Sequence, residues 1–184
     1  MEKVYVFLAD GLEEIEGLTV VDILRRGKVD VTMISITGSR TVRGSHGIEI
    51  TADEIFEEAS LEDGTLYVLP GGMPGTLHLG EKKALCELLV RAKERGRRIA
   101  AICAAPSVLG DLGLLEGEDA TCYPGLEERL KGANVLYDEV VVSGQMTTSR
   151  GMGTAIPFAL SLLASVKGQA EADQMAKGIV YRQS

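Results

Sequence analysis

RIAAICAAPSVLGDL, residues 98–112, is the stretch on which the fold reading turns. Arg98 to Ile102 is an apolar run of the length of a buried strand, and Ala104 to Leu112 carries a helical pattern that tolerates Pro106 in its first turn. Cys103 therefore falls at a strand-to-helix turn. A nucleophile there is held above the sheet edge, crowding admits only small neighbours, and the N–H groups that start the helix favour an anionic sulfur. Ala104 and Ala105 meet the size requirement. Against this stands the commonest fate of a free cysteine, a small apolar core residue. The rest of the chain has to supply a chemical partner.

Before this stretch, Gly96 ends a helix over Ala84 to Arg95 with Leu85, Leu88 and Leu89 on one stripe. Thr65 to Leu69 reads as a buried strand running into the loop Pro70-Gly71-Gly72-Met73-Pro74-Gly75. Lys3 to Ala9 is a continuous β-rich run, and a helix from about Ile15 to Arg26 follows it, closed by Gly27. Val29 to Ile36 reads as a second strand. A polar turn over Gly38 to Gly47 leads by a short hairpin into Ile48 to Thr51, and Glu54 to Leu61 reads as a short acidic helical connection. After Gly113 the pattern is less regular: Ala120 to Tyr123, Val135 to Tyr137, Glu139 to Ser143 and Met146 to Ser149 read as strands. Helices over Thr154 to Val166 and Glu171 to Val180 follow. Strands alternating with helices imply an α/β fold with a doubly wound, mainly parallel sheet and helices on both faces. With no internal repeat or linker, residues 1–184 are expected to form a single domain.

The 184 residues are 45% hydrophobic and 25% charged, a balance that favours a folded chain with a sizeable core over disorder. A formal charge of −8 argues against nucleic acid as the main partner. No apolar run reaches membrane-spanning length, and the N-terminal run is too short and wrongly flanked for a signal peptide. Three cysteines, an odd number, make a disulfide framework a poor explanation, so a reducing, cytoplasmic setting is expected.

In an open α/β sheet, ligands bind outside the carboxyl ends of the strands. Three loops meet that description: Asp10 to Ile15, Pro70 to Gly75, and the Cys103 turn. Glu16 stands on the stripe of its helix shared with Val20 and Ile23, which faces inward. Desolvation there raises a carboxyl's pKa, so Glu16 is expected to hold a proton near neutrality and to serve Cys103 as acid or base. Glu13 and Glu14 need no role beyond complementing the helix dipole. His46 and His78 are the two histidines, and neither follows Cys103; both read as surface side chains, which disfavours a Cys-His protease. Neither they nor Cys86, Cys103 and Cys122 have zinc-ligand spacing, so no metal is expected. The N–H groups of Gly72 and Ala104 are candidate oxyanion donors beside the cysteine. The glycine loop lacks both the Walker A pattern and GxGxxG, so no nucleotide cofactor is expected. Cys122 reads as a core residue.

Four stretches together, LADGLEEIEG (8–17), VLPGGMPG (68–75), AAICAAPSVL (100–109) and TSRGMGTAIPFAL (148–160), resemble the ThiJ/PfpI superfamily in the branch of the parkinsonism-associated protein deglycase and its bacterial relatives. The resemblance spans nearly the whole chain. It implies a flavodoxin-like sandwich, usually a homodimer, with Cys103 on a strained nucleophile elbow, a protonated Glu16 beside it, and Gly72 and Ala104 as main-chain donors. It also implies a cofactor-independent glyoxalase or deglycase acting on small α-oxoaldehydes such as methylglyoxal, in defence against carbonyl or oxidative stress. The alternative it offers is a redox sensor or chaperone whose cysteine becomes a sulfinic acid. The chain departs from the pattern of some relatives at Tyr123, where they carry a histidine, and at Met152, where they carry a proline.

Overall fold

A computed structural model describes residues 2–182; residues 1, 183 and 184, the ends of the expected domain, lie outside the described residues. Its frame is a seven-stranded sheet. In chain order the elements that build or flank it begin with β1 (Lys3–Leu8), α1 (Glu14–Arg26), β2 (Asp30–Ser35), a hairpin of β3 (Thr41–Arg43) and β4 (Glu49–Thr51), and β5 (Glu54–Ile55). β6 (Leu66–Leu69), α2 (Gly75–Glu81), α3 (Lys83–Glu94), β7 (Arg98–Ile102) and α4 (Pro106–Asp111) follow. The last part comprises β8 (Asp119–Ala120), β9 (Asn134–Val135), β10 (Val140–Ser143), β11 (Met146–Ser149), α5 (Ala155–Lys167) and α6 (Gln169–Gly178). The sheet order is β10-β11-β7-β6-β1-β2-β5, and every pairing is parallel except β10 with β11. This is the doubly wound α/β architecture expected from the alternation of strands and helices.

The sheet is buried on both faces because side chains alternate along its central strands. Val4, Val6 and Leu8 of β1, Leu66 and Val68 of β6 and Ala100 and Ile102 of β7 share one core with Val20 and Ile23 of α1 and Phe158 and Leu162 of α5. Tyr5 and Phe7, Tyr67 and Leu69, and Ile99 and Ala101 face the other core, filled by Leu85 and Leu89 of α3 and Leu109 of α4. The register Val6↔Val68 and Val68↔Ala100 brings the carboxyl ends of β1, β6 and β7 to one edge. From β1 the chain winds first to β2 and β5 and then back to β6 and β7, so the order reverses beside β1. A switch point of this kind opens a crevice at the strand ends.

Two local expectations are corrected, and one unassigned segment proves helical. Residues 54–61 are not helical: Glu54–Ile55 adds a parallel edge strand to β2, Phe56 N–H donates to the Ser35 carbonyl at 2.9 Å, and the Phe56 ring packs on Phe7. Sheet pairing and aromatic burial override a weak helical pattern. The segment after the glycine loop, to which the sequence pattern assigns no element, forms a helix, α2, held by the buried Thr76 and Leu79; two glycines and no capping side chain hide it in the sequence. The expected strands over 120–123 and 135–137 shrink to a two-residue parallel pairing of β8 with β9 outside the main sheet.

Candidate active site

Cys103 directly follows β7, and its backbone sits at φ +64°, in the left-handed region that β-carbon-bearing residues avoid. Holding a non-glycine residue there costs of the order of 1–3 kcal/mol, and such strain persists only when neighbours over-determine it. Here they do. Cys103 N–H donates to the Ser149 carbonyl of β11 at 2.9 Å, and the Cys103 carbonyl accepts the Tyr123 N–H at 2.8 Å. Pro106 then begins α4 as its first residue. The side chain is thereby aimed off the sheet edge and is half-buried.

Glu16, in the first turn of α1, is 1% exposed. Its Oε2 accepts the Gly71 N–H at 2.9 Å, Oε1 has no hydrogen-bond partner, and the carboxyl and the Cys103 thiol shift each other's ionisation. Gly71 is required at this point, because a β-carbon there would fall 2.6 Å from both the Cys103 β-carbon and Glu16 Oε2. Those two atoms consequently lie within twice that distance of each other. Gly72, at φ +92°, is equally constrained: a β-carbon on it would meet the Glu13 backbone nitrogen at 2.2 Å. The loops after β1 and β6 interlock through Glu13 N–H donating to the Gly71 carbonyl at 2.9 Å.

Burial pushes the Glu16 carboxyl up from 4.5 to about 7; hydrogen bonds from Cys103 and Gly71 oppose the shift and the charge of Glu13 adds to it. Burial likewise pushes the Cys103 thiol up to about 12, the charge of Glu16 and the hydrogen bond to it act in the same direction, and the N–H groups of Gly72 and Ala104 pull the other way. Two anions this close in a desolvated site are unfavourable together, so near neutrality the pair keeps at least one proton. That arrangement lets a thiol hand its proton to an adjacent carboxylate as it attacks, and lets the resulting acid return it. It also puts two backbone donors beside the sulfur, Gly72 from the loop after β6 and Ala104 from the turn after β7.

A cavity of about 310 Å³ opens at Cys103, with Gly72, Met73, Ala104, Tyr123 and Leu126 among its walls. Tyr123 and Leu126 come from the irregular segment after β8, and no periodicity marks them. Tyr123 is 52% exposed. Cys122 is buried, and burial lifts its thiol to about 11, in keeping with a core residue. Cys86 is half-buried on α3 and, like the other two cysteines, is free.

The acids before Glu16 do more than complement a dipole. Glu14 is buried; its Oε1 accepts the His46 N–H at 2.8 Å, and its Oε2 lies 2.9 Å from His46 Nδ1. Burial opposes ionisation, yet hydrogen bonds from the His46 ring and from backbone N–H groups take Glu14 down to about 2. The turn of the β3–β4 hairpin is thus pinned to the start of α1. Glu13, Glu14 and His46 place one ligand atom each within 4.8 Å of one another, a cluster invisible in sequence spacing. His78 Nδ1 lies 2.8 Å from the Asp10 carbonyl, outside the cavity walls. Among the described residues no helix is long and apolar enough to cross a membrane.

Comparison with known proteins gives a consistent picture. The DJ-1/PfpI family model matches residues 2–165. Protein DJ-1 homolog B of Arabidopsis thaliana is 37% identical over 98% of this chain and 42% of that protein. The chain spans less than half the length of this relative. Glutathione-independent glyoxalase DJR-1.2 of Caenorhabditis elegans is 32% identical over 90% of this chain and 88% of its own. Among solved structures, oxidized Toxoplasma gondii DJ-1 superposes with a TM-score of 0.95 at 35% identity, covering 100% of both chains.

Proposed function

Because the chain belongs to the DJ-1/PfpI family, which includes glyoxalase-type enzymes, we propose that it converts small 2-oxoaldehydes to 2-hydroxy acids with Cys103 as nucleophile and Glu16 as acid and base. The observation that carries this is the buried Glu16 carboxyl, raised to about 7 and packed across Gly71 from Cys103, each 2.6 Å from the point a β-carbon on Gly71 would take. The Cys103 sulfur adds to the aldehyde carbon of R–CO–CHO as its proton passes to Glu16, and the N–H groups of Gly72 and Ala104 stabilise the alkoxide until it is protonated. Glu16 then removes the C1 hydrogen as a proton and returns a proton to C2. C1 is oxidised and C2 reduced within one molecule, leaving a 2-hydroxy thioester on Cys103. Water cleaves the thioester, the thiol recovers its proton, and R–CH(OH)–COOH leaves.

The test is lactate formation from methylglyoxal by the purified protein, by Cys103→Ala and by Glu16→Gln. Both substitutions are expected to abolish turnover; equal rates in all three proteins would sink the assignment. A second reading, oxidation of Cys103 to the sulfinic acid, is favoured by the same two N–H groups and carboxyl, which match the hydrogen-bonding needs of sulfinate oxygens. Mild peroxide followed by peptide mass spectrometry should then add two oxygens at Cys103 and none at Cys86 or Cys122; the reverse pattern rejects it. The partner is read as a second copy of the chain. Ile15 and Leu18 of α1 lie exposed with Ile48 and Ile156 around an apolar hollow of about 610 Å³. Light scattering should give a dimer, and Leu18→Glu a monomer.

A further inference from the structure

The cavity beside Cys103 is larger and less polar than a three-carbon substrate requires. Methylglyoxal has five non-hydrogen atoms, which need roughly 150 Å³ even at the ~30 Å³ that one water molecule takes in the liquid. The cavity holds about 310 Å³, so room for roughly five more atoms remains once the dicarbonyl is seated. No charged side chain stands in its wall. The carboxylate nearest the sulfur, Glu16, is buried beneath Gly71. A charged substituent would give up its hydration there without gaining a partner, whereas an apolar one loses nothing.

The walls are also adaptable. Met73 is 51% exposed and carries an unbranched, polarizable side chain, and Met73 and Leu126 also line a neighbouring cavity of about 200 Å³, so both walls border unfilled space. Tyr123 stands on another side, its backbone tied to the Cys103 carbonyl, and offers an aromatic face. We infer that the site selects 2-oxoaldehydes whose ketone carbon bears a branched-alkyl or aryl substituent, in preference to methylglyoxal. This rests on the chemistry proposed above: the aldehyde carbon meets Cys103 and the substituent fills the space between Met73, Tyr123 and Leu126.

The experiment measures kcat/KM from 2-hydroxy acid formation with methylglyoxal, 4-methyl-2-oxopentanal and phenylglyoxal. The two bulky substrates are expected to exceed methylglyoxal at least tenfold, the usual scale for filling an apolar subsite. Leu126→Phe, which narrows the cavity, should lower the bulky-to-small ratio. That comparison removes the differing intrinsic electrophilicity of the three aldehydes. Met73→Phe, at an exposed position, gives the same reading if Leu126→Phe does not fold. Cys103-dependent turnover of methylglyoxal with equal or slower turnover of both bulky substrates overturns the selectivity and leaves the reaction standing. An unchanged ratio in the narrowed variants also overturns the selectivity. Absence of product from all three substrates overturns both.

Discussion

Replacing Glu16 by Gln should make the protein's stability less dependent on pH, and the sign follows from burial. In the folded protein the carboxyl is raised from 4.5 to about 7, chiefly because 1% exposure leaves its charge desolvated. Below pH 4.5 folded and unfolded chains both hold the proton. Between 4.5 and 7 the folded chain keeps a proton that the unfolded chain has released, so stability falls as pH rises; above 7 the full penalty is present. A gap of roughly 2.5 pH units corresponds to about 3 kcal/mol. With its thiol raised to about 12, Cys103 stays protonated across this window, so a single proton is at issue. The glutamine carbonyl can still accept the Gly71 N–H, which keeps the comparison close to isosteric. Urea unfolding of both proteins from pH 4.5 to 8, followed by circular dichroism, should show the wild type losing about 3 kcal/mol relative to the variant. A difference that stays flat across the window would refute a buried, proton-holding Glu16.

Three further outcomes follow from particular contacts. Gly71→Ala puts a methyl group 2.6 Å from both the Cys103 β-carbon and Glu16 Oε2; it should lower turnover at least tenfold and stability by about 1–3 kcal/mol, read by the lactate assay and urea titration. The His46 ring is hydrogen-bonded to Glu14 and lies in the field of Glu13 and Glu14, which raises its pKa. Its NMR titration should centre above 6.5 and fall back toward that value in Glu14→Gln. Thr148→Val removes the Oγ1 that accepts the buried Thr121 N–H at 2.9 Å. Stranding that donor should destabilise the protein by about 1–3 kcal/mol, measured by denaturant unfolding.

What the sequence determined by itself is local and periodic. The VYVFLA run, the stripe of α1 and the RIAAI strand before Cys103 show their period and their stop signals within a few residues, so strand, helix, elbow and the doubly wound alternation are legible without the structure. Glu16 was legible for the same reason, since its position on the inward stripe is a property of helix geometry. Glu14 was not. Its burial depends on the β3–β4 hairpin more than thirty residues away, which brings His46 to it. Residues 54–61 were misread, and 75–81 left unread, for a related reason: edge pairing with β2 and the burial of Leu79 outweigh weak local preferences. Only the tertiary structure decided the site itself. The parallel register of β1, β6 and β7 brings three loops to one edge, which sets how deeply Glu16 is desolvated, which N–H groups reach the sulfur, and how much apolar space Tyr123 and Leu126 enclose beside it. Desolvation and cavity volume are sums over neighbours distant in sequence, and no window along the chain contains them.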